Sequence, residues 1–157
     1  GFFALPNNGQ WYSFDYGQLH IAGLNDTVAQ SSDIDTQATW LQSDLQSSTA
    51  TVKVVFHHIP AYTSCTTHPP NTDLQEKWSP VEEAAGVAID FTGHNHNYER
   101  SYPLKNGVET SVDQGTTYIV SAGAGADQSQ LAGAQLAGHR RNRYEFAFIR
   151  ETLLDSD

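Results

Sequence analysis

The sequence predicts an α/β fold, on three observations. Val52-Lys53-Val54-Val55-Phe56 and Val87-Ala88-Ile89-Asp90-Phe91 are short, mostly apolar, β-branched runs typical of strands buried in a parallel sheet. The stretch between them holds a helix with a well-marked start: Ser79 as N-cap, Pro80 at the first helical position and Glu82 closing a capping box, with Gly86 as C-cap. From Ser32 or Asp33 onward, Ile34, Ala38, Leu41 and Leu45 recur at helical spacing, giving an amphipathic helix of about four turns that ends near Ser47-Ser48. A β, long loop, α, β unit opens its chemistry at the C-terminal ends of its strands, where the chain leaves the sheet for loops.

The remaining elements follow from the same patterns. Trp11 to Tyr16 alternates and is aromatic, Gly17-Gln18 is a turn, and Leu19 to Leu24 is a second apolar run, so the three read as a hairpin. Thr116 to Ser121 and Tyr144 to Ile149 are later strands. Ala122 to Gly138 is rich in Gly, Ala and Gln and reads as a surface excursion, its Leu-Ala-Gly echo being too short for a repeat architecture. No linker divides the chain, and 157 residues with 38% hydrophobic content suit one domain or part of one.

A formal charge of −10 repels nucleic-acid backbones and anionic membranes, so neither is an expected partner. An acidic protein that handles phosphate needs concentrated positive charge in its site, and bound metal ions supply it. Cys65 stands alone, which leaves no intrachain disulfide framework and no CxxC metal clip. No stretch reaches the ~18 apolar residues of a membrane span, and Gly1 to Pro6 is too short for a signal peptide. Asn25-Asp26-Thr27 is a formal glycosylation sequon, placed just after an apolar strand.

His58 comes straight off the first buried strand, and His94 and His96 come straight off the second. Three imidazoles at neighbouring strand ends form a metal-site pattern. Gly93 permits a tight turn, and an i, i+2 pair in extended backbone sends both rings to one side, so His94 and His96 can serve one ion or two adjacent ions. With no thiolate nearby, the donor set is nitrogen and oxygen, which suits zinc, iron or manganese. A dinuclear site also needs a bridging carboxylate to hold two cations roughly 3.5–4 Å apart. His57 should face away from His58 and take a core or hydrogen-bonding role, and His20 sits inside a strand. His139 with Arg140, Arg141 and Arg143 forms a basic run that reads as a solvated loop.

Val55 to Tyr62 and, above all, Gly93-His94-Asn95-His96-Asn97-Tyr98-Glu99-Arg100 resemble the metal motifs of the purple acid phosphatases, the second matching their GHxHxYER signature almost letter for letter. Tyr12 to Gly17, Trp40-Leu41 and Gly115 to Gly123 are similar to that family in the same order, so the likeness covers most of residues 2 to 125. It implies the C-terminal half of a four-layer metallophosphoesterase β-sandwich flanked by helices. The positions matched by His58 and His94 bind the divalent ion in that family, and the position matched by His96 binds trivalent iron. The implied cofactor is a dinuclear centre of Fe(III) with Zn(II), Fe(II) or Mn(II). By the same likeness His68 contacts the phosphate and protonates the leaving group. Asn95 is a second candidate substrate contact, and Tyr98, Glu99 and Arg100 brace the turn behind the ligands.

The implied activity is acid phosphatase hydrolysis of phosphomonoesters by a metal-activated hydroxide, in a secreted or extracellular setting. A phosphodiesterase of the wider calcineurin-like superfamily shares the GHxH turn and is the enzymatic alternative; a non-catalytic metal-binding or interaction fragment is the other. The family's upstream motifs bring an iron-binding aspartate, a bridging aspartate, a tyrosine and an asparagine, and nothing in Gly1 to Asn8 stands for them. Residues 1–157 are therefore expected to be a partial catalytic domain, partnered by its upstream half or by a second copy. Asp26 and Asp90 are the nearest carboxylates and read as structural. The strands around Val54 and Ile89 are expected to lack neighbours on one side, leaving an exposed edge or apolar face.

Overall fold

The structure, a computed structural model, describes residues 9–27, 31–123, 127 and 139–143. Its centre is a seven-stranded mixed sheet. In chain order the elements are β1 (Tyr12–Tyr16), β2 (Leu19–Gly23), α1 (Ser31–Ser47), β3 (Val52–Phe56), α2 (Thr72–Lys77), α3 (Ser79–Ala85), β4 (Ile89–Thr92), β5 (Tyr98–Ser101), β6 (Leu104–Lys105), β7 (Val108–Glu109), β8 (Thr117–Ser121) and β9 (His139–Arg143). The sheet order is β1-β2-β3-β4-β8-β5-β9, with β2, β3, β4 and β8 parallel and the outer pairs antiparallel.

The helices cover one face of this sheet. Leu41 and Leu45 of α1, Leu74 of α2 and Trp78 pack with Ala22 of β2 and Val55 of β3 into the core. Burying a leucine of this kind contributes roughly 1.5–3 kcal/mol. Trp78 adds a hydrogen bond from its indole N–H to the Ile34 carbonyl at 3.0 Å. Neither α1 nor α3 carries a basic residue in its last turn. Lys53 of β3 takes that part: its ammonium donates to the Leu45 carbonyl at 2.7 Å and the Ala85 carbonyl at 3.3 Å, where the helix dipoles favour a cation.

Register places Ile21, Val54, Phe56, Ile89 and Phe91 together on the other face, where all are half-buried, with Phe14 exposed beside them. The expected apolar face is thus present. The expected edge is not: β3 lies between β2 and β4, and β4 between β3 and β8, because the hairpin and β8 supply the flanking strands from within this chain.

Several local expectations shift. The loop before α3 contains α2, capped by the Asn71 side chain accepting from the Leu74 N–H. The N-cap of α3 is Trp78, with no side-chain cap bond, because α2 runs almost directly into it; Ser79 and Glu82 are buried inside the helix instead of forming a capping box. Gly86 does end the helix, in the left-handed region at φ 71°. His139–Arg143, expected as a solvated loop, is strand β9 paired with β5. The predicted strand Tyr144 to Ile149 lies outside the described residues, as does most of the Ala122 to Gly138 excursion. Asn106-Gly107, both with positive φ, turn β6 into β7 as the hairpin pair Asn-Gly favours.

Candidate metal centre

The site is built where β3 and β4 end side by side. The ladder continues past both strands: His57 N–H donates to the Phe91 carbonyl and Gly93 N–H to the His58 carbonyl. This brings the His58 and His94 rings together edge-on, with His58 Nε2 and His94 Nδ1 3.2 Å apart. The His68 ring lies beside them, its centre 4.5 Å from that of His94. His58 and His68 are exposed and His94 half-buried, so the cluster is open to solvent.

The turn differs from the extended pair expected. The left-handed residue is His94 itself, at φ 60°, a conformation uncommon outside glycine. Short bonds from Asn95 N–H to the Gly93 carbonyl and from Asn97 N–H to the Asn95 carbonyl hold it there. A surrounding structure that fixes such a conformation fits a positioned side chain. His96 consequently points elsewhere: its Nδ1 lies 2.6 Å from the Asp127 carbonyl. A carbonyl only accepts, so Nδ1 carries the proton and Nε2 the lone pair, the tautomer a metal ligand needs.

Two nitrogens 3.2 Å apart suit one shared ion, since tetrahedral zinc with Zn–N of about 2.0–2.1 Å separates its ligands by about 3.3 Å. Partial burial, then the neighbouring His68 and His58 rings, hold His94 below the usual histidine pKa. A lowered pKa favours its neutral, lone-pair form.

Behind the turn, Glu99 is almost fully buried. Its carboxylate accepts the Thr63 hydroxyl at 2.6 Å, the Ser64 N–H at 2.7 Å and the Asn97 amide at 2.8 Å. Asn95 is also buried, and its amide nitrogen donates to Thr63 Oγ1 at 2.8 Å and to the His68 carbonyl at 3.3 Å. Asn95 therefore holds the His68 loop and does not line an open surface. Tyr98 and Arg100 are half-buried on β5.

His57 turns to the helix face, as expected of the residue before His58. Its ring bridges two buried aspartates: Nδ1 is 2.8 Å from Asp26 and Nε2 3.1 Å from Asp90. Burial opposes protonation of His57, but the Asp90 charge and the Asp26 hydrogen bond outweigh it and push its pKa up to about 10. Glu82 of α3 completes the cluster, pushed well above the usual carboxylate pKa by burial and then by the Asp90 charge. Among the described residues, His57, Glu82 and Asp90 form a trio of metal-ligating atoms all within 4.8 Å of one another; His58, His94 and His96 do not form one that tight. Sequence reasoning missed Glu82 because its spacing from Ser79 matches a capping box.

No protein-family profile matches the chain. It is 32% identical over 105 residues to purple acid phosphatase 18 of Arabidopsis thaliana, covering 64% of this chain and 24% of that protein. It is 28% identical over 157 residues to acid phosphatase type 7 of Mus musculus, covering 80% of this chain and 36% of that protein. Its fold matches the purple acid phosphatase PPD1 from yellow lupin seeds with a TM-score of 0.73 at 22% identity, over 93% of this chain and 28% of that one. The chain thus spans only about a quarter to a third of the length of these relatives. The fold defines the class: an α/β domain built like that of the lupin protein. Within that class, the chain is related to the purple acid phosphatases.

Proposed function

We propose that residues 1–157 are part of the catalytic domain of an acid phosphatase that hydrolyses phosphomonoesters. The observation that carries this reading is the 3.2 Å approach of His58 Nε2, just past β3, to His94 Nδ1 in the GHxHxYER turn. In this reading His58 and His94 hold a divalent ion, and His96, its tautomer set by the Asp127 carbonyl, serves trivalent iron. When bound, a dinuclear centre supplies charge neutralisation on the phosphoryl oxygens and an acidified water. In the same reading His68, exposed beside His94, binds a phosphoryl oxygen and gives a proton to the leaving alkoxide. Glu99 and Asn95 keep the His68 loop against the turn. Tyr98 and Arg100 anchor the turn's exit in β5.

The test is turnover of chromogenic mono- and diesters by the chain loaded with Fe(III) and Zn(II). Preference for the monoester supports the proposal. Preference for the diester favours a phosphodiesterase, and tight metal binding without turnover of either favours a non-catalytic metal-binding role.

A further inference from the structure

We propose that His57, Asp90 and Glu82 form a second, buried metal site, taking one divalent transition-metal ion of the zinc type through one imidazole nitrogen and two carboxylate oxygens. His57 follows β3 on the helix-facing side, Asp90 lies on the same side of β4, and Glu82 faces them from α3. Their ligand atoms lie within 4.8 Å of one another. Asp90 and Glu82 are each 1% exposed, and His57 is 8% exposed.

The geometry leaves donors unused. Both Glu82 oxygens and Asp90 Oδ1 are buried without a hydrogen-bond partner. Buried carboxylate oxygens without a donor are expensive, and a cation between them removes that cost. Asp26 Oδ2 already accepts the backbone N–H groups of His58 and Ile59, and it lies 2.8 Å from His57 Nδ1. An acceptor so used keeps the Nδ1–H on His57 and directs Nε2 at Asp90 and Glu82. This is the carboxylate–histidine–metal arrangement that orients an imidazole ligand. The ion takes the place of the proton now shared between His57 Nε2 and Asp90 Oδ2. A nitrogen and two carboxylates, with no thiolate, suit zinc or cobalt, whereas calcium and magnesium prefer oxygen alone.

The site is separate from the exposed imidazoles. His57 and His58 are consecutive but face opposite ways, and Asp26 joins the two by gripping the backbone of His58.

Cobalt(II) is the probe, added during refolding because the pocket is closed to solvent. In a chain carrying His58→Ala, His94→Ala and His96→Ala, one cobalt per chain is expected to survive dialysis. Its visible absorption should be more intense than that of hydrated, six-coordinate cobalt. Adding Glu82→Gln or, should that variant not fold, Asp90→Asn is expected to abolish retention. Asp26→Asn should weaken it about 10–100-fold. In the otherwise wild-type chain, Glu82→Gln should lower the metal count by one and leave the His58–His94 ion in place, so the two sites fail independently. No cobalt retained by a folded triple variant, or retention unchanged by both Glu82→Gln and Asp90→Asn, would overturn the proposal.

Discussion

Glu99 accepts the hydroxyl of Thr63 at 2.6 Å across 36 residues of sequence, and this bond ties the turn after β4 to the loop carrying His68. The same carboxylate also holds Ser64 and Asn97. Glu99→Ala strands three buried donors and is expected to destabilise the chain by ~3–5 kcal/mol, as removal of one partner from a buried charged network does. Urea denaturation checks the value, and a loss under ~1 kcal/mol would mean the loop is held otherwise.

Lys53 caps two helices from a neighbouring strand. Lys53→Met keeps the aliphatic stem and removes the ammonium that reaches the Leu45 and Ala85 carbonyls. A loss of ~1.5–3 kcal/mol is expected in chemical denaturation, the range for hydrogen bonds to a charged group. A surface lysine without this role would show almost none.

Tyr118 gives a pH dependence. Burial, and then the Glu82 charge, raise its phenol pKa above the ordinary 10, and its hydroxyl donates to Glu83 at 3.2 Å. Above pH ~10 the unfolded chain releases this proton while the folded chain keeps it, so stability falls by about 1.4 kcal/mol per pH unit. Tyr118→Phe should cost about 1 kcal/mol at neutral pH and flatten that alkaline decline. Melting curves of both chains at neutral and alkaline pH test the difference in slope.

Much of the fold is legible in the sequence because period and punctuation agree. The hairpin around Gly17, the stripe of Ile34, Leu41 and Leu45, the run Val52 to Phe56 and the Gly86 stop each have one dominant local cause. The failures have a common origin in tertiary context. Ser79 and Glu82 satisfy a capping pattern, yet α2 leads almost directly into α3 and buries both. The basic residues His139 to Arg143 read as solvated, yet β5 offers them a strand partner. At the site, the two strand ends bring His94 beside His58, but the GHxH spacing does not reveal that His94 adopts a left-handed backbone, or that Asn95 turns inward to hold the His68 loop.

His68 is distinguished from the imidazoles proposed to bind metal by what its loss should do. In a metal-loaded chain that turns over phosphomonoester, His68→Ala should lower kcat by about 10²–10⁴-fold, the range for a lost proton donor. Metal content should stay unchanged. Loss of metal together with activity would instead make His68 a ligand.

His58 and His94 are proposed to share one ion. Metal content by elemental analysis after dialysis, compared between the wild-type chain and His94→Ala, tests it directly. With one shared ion, His94→Ala loses one equivalent of tightly held divalent metal and His58→Ala loses the same equivalent. Unchanged metal content in His94→Ala would contradict it.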